Sequence, residues 1–253
     1  MSPQVVPSFV GHLAGHVEGP PEPGNWHACI AEWAAALRSV EQAEETYQII
    51  ELGCGWGCWL NNMGVVAVRK GLRVQLVGVE GNRRHVDDAE ATLALNGFNK
   101  GDWRIVNGIA AAKHGTAFFP IVEHHAEVWG SQAIFFPEEN EAQALRSAGK
   151  YSELRCITLA DISGGAITDL LHIDIQGAEV DFVVGNIEEM RRSVKRCLIG
   201  THSREIDGML FAKFLEAGWK LEVERPAIHE IVDGHPEIRI DGVQLWRNPA
   251  LTH

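Results

Sequence analysis

The constraint that most limits the fold lies in residues 47–80. An apolar run (Tyr47–Leu52) stops at the turn GCGWG, whose glycines fall at every second position. A helix-like span to about Lys70 follows, then a second apolar run, RVQLVGV, ending at Glu80. Two buried strands joined by a helix cannot form a hairpin, so they must lie parallel with a right-handed crossover. The alternation continues with a helix from about Arg83 to Asn96 and a strand over Trp103–Val106. Further on come a strand at Leu170–Ile175, a helix at Ala178–Asn186, a strand at Cys197–Thr201 and a helix at Ile206–Ala217. Two tail segments, LEVER and GVQLWR, read as strands in hairpin relation, whereas TAFFPIV and SQAIFF read as short strands or an insertion. This pattern predicts an α/β protein: a Rossmann-like, mostly parallel sheet with helices on both faces and a C-terminal antiparallel hairpin.

Ahead of the first strand, residues 26–43 place Ile30, Trp33, Ala34 and Leu37 on one helical face. Pro3, Pro7, Pro20, Pro21 and Pro23 make residues 1–25 an extended arm that could lid the site or pack on a second copy in a homodimer. The expected division is an arm and helix over 1–45 and a ligand-binding domain over 46–253.

Composition narrows the partners. With 22 Lys plus Arg against 34 Asp plus Glu, the net charge of -12 repels phosphate backbones, and no long basic run offsets it. Nucleic acid is therefore not an expected partner. No apolar stretch approaches the roughly 20 residues that span a bilayer, and no signal-like N-terminus is evident, so a membrane is not expected either. Five scattered cysteines suit a reducing, cytoplasmic compartment. Cys54 and Cys58 lack the partners for a zinc site, and no metal is expected.

Three ligands compete for the glycine turn. A phosphate-cradling P-loop needs Lys and a hydroxyl residue after its last glycine, but Cys58 follows Gly57. A dinucleotide fingerprint needs a glycine at position 58 or 60, where Cys58 and Leu60 stand. S-adenosylmethionine fits better: glycines 53, 55 and 57 allow close backbone approach, and Glu51 supplies negative charge near its cationic end. Glu80, at the end of the second strand, is placed to accept from both ribose hydroxyls.

These residues resemble the FkbM family of S-adenosylmethionine-dependent methyltransferases. Besides IIELGCGWGCW and VGVEGN, the resemblance is carried by CITLADI leading into DLLHIDIQGAEVDFV, by NGIAAAKHGTAFF, and by CLIGTHS. It covers about residues 47–220 and implies a class I methyltransferase fold. The expected cofactor set is Glu51, Gly53, Cys54, Gly55, Gly57, Glu80, Gly81, Asn107, Gly108, Ile109 and Asp174. His172, Gln176 and Ala160 depart from the family's usual Lys, Glu and Asp, while residues 1–25 and 120–150 match nothing in it.

Methyl transfer to oxygen requires alignment and removal of a hydroxyl proton. Asp174 and His202 close the fourth and fifth strands and are the expected catalytic pair, His202 as general base with Asp174 orienting it. His202 could instead cap its strand end, and Glu179 either opens the following helix or joins the site. His124, His125, Trp103 and Trp129 are weaker candidates for walls or substrate contacts. The expected reaction is O-methylation of a small hydroxylated acceptor, a sugar or glycosylated natural product as the resemblance implies. N-methylation of an amine and a non-catalytic cofactor-binding scaffold are the alternatives.

Overall fold

The computed structural model describes residues 4, 6, 28–122 and 130–252. The expected arm lies outside these residues apart from Gln4 and Val6, and so do His124, His125 and Trp129. The first described helix, α1 (Ile30–Glu41), leads into β1 (Thr46–Leu52), α2 (Cys58–Arg69), β2 (Arg73–Glu80), α3 (Arg83–Leu95) and β3 (Trp103–Asn107). Next come β4 (Ile109–Ala110), β5 (Gly115–Pro120), β6 (Ile134–Phe135), α4 (Glu139–Ala148), β7 (Tyr151–Ile157) and α5 (Leu159–Ser163). The second half of the main sheet follows as β8 (Leu170–Ile173), α6 (Glu179–Ser193), β9 (Arg196–Thr201) and α7 (Arg204–Glu216). The chain closes with β10 (Lys220–Arg225), β11 (Ile228–Val232), β12 (His235–Ile240) and β13 (Gly242–Arg247).

The main sheet runs β10-β13-β9-β8-β1-β2-β3. Strands β3, β2, β1, β8 and β9 pair in parallel, and β13 and β10 add antiparallel at one edge. The expected architecture is thus present. The order reverses between β1 and β8, and a ligand site belongs above that switch, at the carboxyl ends of the strands. The two tail strands do pair antiparallel, but a separate ribbon, β11–β12, is interposed between them.

Both faces of the sheet are covered. Side chains of α1 and α2 interleave with Tyr47, Ile49 and Leu170 on one face, and those of α6 and α7 with Ile50, Leu171 and Ile199 on the other. Alternate residues of β1 and β8 thus enter opposite cores, as a strand buried on both sides requires. On α1 the expected apolar face is corrected: Ala35, Ala36, Ser39 and Val40 are buried, whereas Ile30 and Leu37 are exposed. Small side chains let this helix sit close to the sheet, with Ser39 Oγ 2.8 Å from the buried Tyr47 hydroxyl.

Two further differences have plain causes. Helix α6 continues seven residues past the expected end at Asn186 to Ser193, because Ile187 and Met190 prolong its buried stripe of Phe182, Val183 and Asn186. Strands β4, β7, β5 and β6 build a second sheet in that order; β5 and β6 fall in the two segments read as short strands or an insertion, while β4 and β7 were not expected. Its own small core joins Ile109, Ala117 and Cys156 to Phe119 and Phe135, and it overhangs the carboxyl end of β3. Among the described residues no helix is long and apolar enough to cross a membrane.

Candidate active site

A cleft of about 790 Å³, counting its open mouth, lies above the carboxyl ends of β1, β2 and β8. Of the expected cofactor residues, Gly53, Gly55, Glu80, Gly81, Gly108, Ile109 and Asp174 line it. Asn82, His85, Phe119, Phe135 and Gln176 line it too, and the sequence reading did not place them there.

Glu80 is the fixed point. Its Oε2 accepts from Gly55 N at 2.8 Å and its Oε1 from Asn82 N at 2.7 Å, so two loops hold one carboxylate. Each oxygen keeps a further lone pair for a ligand hydroxyl. Close packing favours glycine at two places nearby, against backbone at Gly53 and against side chains at Gly81. Gly53 has φ +72°, and a Cβ there would come within 1.9 Å of Asp174 O. A Cβ on Gly81 would stand 2.8 Å from both Ile109 Cδ1 and Phe119 Cδ2.

Glu51, Cys54, Gly57 and Asn107 are not among the residues that line the cleft, and each makes other contacts beside it. Gly57 is the N-cap of α2 and has no side chain to serve the helix. Glu51 fills that need from β1, its Oε1 accepting from Trp59 N at 3.3 Å and its Oε2 from Leu60 N at 3.0 Å. Burial, opposed by those hydrogen bonds, pushes its carboxyl up to about 8. Cys54 is buried, and Gly78 leaves the space its sulfur takes: a Cβ at 78 would be 2.7 Å from Cys54 Sγ. Asn107 Nδ2 donates to Glu80 O at 2.9 Å and Gly81 O at 3.0 Å, bracing the turn that carries Glu80.

The other end of the cleft is built around a charge. His202 Nδ1 lies 3.0 Å from Glu179 Oε1, and its Nε2 lies 3.3 Å from Asp174 Oδ1. Burial favours a neutral ring, but hydrogen bonds and charge from Asp174 and Glu179 outweigh it and raise His202 to about 10. Burial also pushes Asp174 up, yet His202 and Gln176 hold its carboxyl below the usual range. Gln176, with φ +55°, donates to Asp174 Oδ1 at 2.8 Å and stands 2.9 Å from His202 Nε2. A residue other than glycine in that backbone region at a cleft marks a position under functional or packing constraint.

Glu179 serves both roles weighed for it. It lies in the first turn of α6, accepts from Ile175 N and Gly177 N at 3.1 Å through Oε1, and holds His202. Asp174, Glu179 and His202 each offer an atom within 4.8 Å of the others, a spacing a metal could use. Glu179 Oε1 faces His202 Nδ1 and Asp174 Oδ1 faces Nε2, so the trio forms a carboxylate–imidazolium–carboxylate chain; with both ring nitrogens protonated, the Gln176 amide nitrogen beside Nε2 is a close neighbour and not a hydrogen-bond partner. Trp103, at the start of β3, packs against the α1/α2 core away from the cleft.

Comparison with known proteins bears on the family and the fold. A family model described as the methyltransferase FkbM domain matches residues 43–233. A protein of Jannaschia sp. (strain CCS1), whose designation as a methyltransferase is provisional, is 51% identical over 249 residues, covering 98% of this chain and 89% of that one. The crystal structure of methyltransferase FkbM from Methylobacillus flagellatus KT aligns with a TM-score of 0.51 at 12% identity. That alignment covers 82% of this chain but only 45% of the other, so this chain spans less than half of that protein, and at such identity the likeness concerns the fold. The chain belongs to the FkbM methyltransferase family.

Proposed function

We propose that the protein is an S-adenosylmethionine-dependent O-methyltransferase whose acceptor is a hydroxyl of a small molecule, a sugar or glycosylated natural product being the class the family resemblance implies. The observation that carries this reading is the Glu80 carboxylate, fixed by Gly55 N and Asn82 N with lone pairs left for a ribose. The residues fit such a nucleoside. Gly53 and Gly55 admit its amino acid portion, while Gly81, Ile109 and Phe119 offer an apolar wall for the base. When bound, the cofactor supplies a methyl group on a sulfonium.

The chain's own contribution centres on Asp174. Its Oδ1 is held by His202 and Gln176, and its Oδ2 is left to receive the acceptor hydroxyl and take up its proton. His202 acts as the cation that locks Asp174 in place, with Glu179 holding its far side. This inverts the expected division of labour, because an imidazole raised to about 10 is already protonated at neutral pH and has no lone pair for a proton. The burial of all five cysteines suits a reducing, cytoplasmic setting. Calorimetry with S-adenosylmethionine and S-adenosylhomocysteine tests the cofactor: both are expected to bind, and failure of both rejects the assignment.

A further inference from the structure

Behind the glycine turn, a buried chain of side-chain amides runs from Gln4 to Gly57. Asn96, the C-cap of α3, pairs with Gln4 much as one strand pairs with another: its Oδ1 accepts from Gln4 N at 2.7 Å and its Nδ2 donates to Gln4 O at 2.7 Å. The same Nδ2 donates to Asn61 Oδ1 and to Thr92 O, each at 2.9 Å, so one of its two hydrogens is shared. Asn61 Nδ2 in turn donates to Gly57 O at 2.7 Å. Both asparagines are buried, so loss of one link leaves an amide without water to replace it.

A second contact reaches the same turn independently. Val6 packs against Trp56 and Cys58, the two neighbours of Gly57, and Trp56 is buried although it stands in the turn between two glycines. At the front of the turn, Gly53 and Gly55 line the cleft, and Gly55 N donates to Glu80 Oε2. The turn is thus held by Glu80 on its ligand side and by Gln4 and Val6 on its outer side. Its three glycines have φ of +72°, +51° and +77°, and glycine loses more conformational freedom on ordering than any other residue. A turn of this composition keeps one shape through restraints from outside it.

We propose that Asn61 and Asn96 are positioning residues for the cofactor, which couple the docking of Gln4 and Val6 to the shape of the glycine turn, so that these two residues and the nucleoside bind cooperatively. This rests on the reading of the cleft as an S-adenosylmethionine site. A turn already ordered from behind presents Gly53 and Gly55 in their bound arrangement, and less ordering is left for the ligand to impose. The coupling is reciprocal: whatever the docked residues add to cofactor affinity, the cofactor adds to their docking. A contact that served stability alone would lower the melting temperature and leave the two events independent.

The test compares the full chain, a chain lacking residues 2–6, Asn96→Ala and the combination of the two by calorimetry with S-adenosylhomocysteine, well below each melting temperature. Truncation and Asn96→Ala should each raise the Kd about 5-fold to 20-fold. The combination should do no more than the larger single effect, since both changes cut one chain of contacts. In the wild type, hydrogen exchange of the N-terminal peptide carrying Gln4 and Val6 should slow by a similar factor when S-adenosylhomocysteine is bound, and this measurement decides the case if a variant does not fold. An unchanged Kd in folded variants, losses that add in the combination, or exchange indifferent to bound S-adenosylhomocysteine overturns the coupling. Wild-type protein that fails to bind S-adenosylhomocysteine overturns the cofactor reading beneath it instead.

Discussion

The two ends of the cleft hold their carboxylates by opposite means. Glu51 and Glu80 accept from backbone N–H groups of the turns and helix start around them. Asp174 and Glu179 instead share the imidazolium of His202. Neutral backbone donors do not titrate; what titrates at the first end is Glu51 itself, whose carboxyl burial raises to about 8. The second end depends on one proton. Binding of a nucleoside and activation of a hydroxyl place different demands on a protein, and the two constructions match them.

The largest expected effect comes from breaking the seam between the two ends. Gly53→Ala puts a methyl group within 1.9 Å of Asp174 O at φ +72°. Strain and overpacking together should cost roughly 3–5 kcal/mol. Thermal unfolding should show the loss, and a variant of wild-type stability would mean that the two turns are not in contact.

Next, His202→Gln removes the shared cation. Truncating a buried charge pair costs about 3–5 kcal/mol. The sign follows from the raised pKa: the native state holds a proton that the unfolded chain releases near 6.5, so His202 stabilises fully below that pH and loses its effect as pH rises through about 10. The gap in melting temperature between wild type and variant should therefore be widest near pH 6 and shrink towards pH 10. A gap that widened with pH would show a neutral His202.

A smaller effect should come from Glu80→Gln at the first end. Loss of one charged acceptor, worth about 1.5–3 kcal/mol, predicts a rise of roughly 10-fold to 100-fold in the S-adenosylhomocysteine Kd. The smallest is Asn107→Ala, which unties the turn without touching the ligand. It should cost about 1 kcal/mol and weaken the same Kd only several-fold; an effect equal to that of Glu80→Gln would make Asn107 a direct contact.

The sequence made the first end far more legible than the second. Strands β1, β2, β8 and β9 are nearly continuous apolar runs, and an acidic residue at the end of a buried strand is conspicuous. What residue 51 faces was not legible, since a carboxylate at that position can turn to a ligand or to the helix above it, and the missing side chain of Gly57 decides for the helix. Of the second sheet only β5 and β6 were legible, as possible short strands, because β4 has two residues and β7 alternates only partly between buried and exposed. Helix α4 buries Ala142 alone, so it carries no apolar stripe to read.

The most direct measurement is a crystal structure with S-adenosylhomocysteine bound. The ribose hydroxyls should lie on the Glu80 carboxylate with the sulfur turned towards Asp174. A nucleoside bound away from Glu80, or a sulfur facing the opposite wall, would contradict the account.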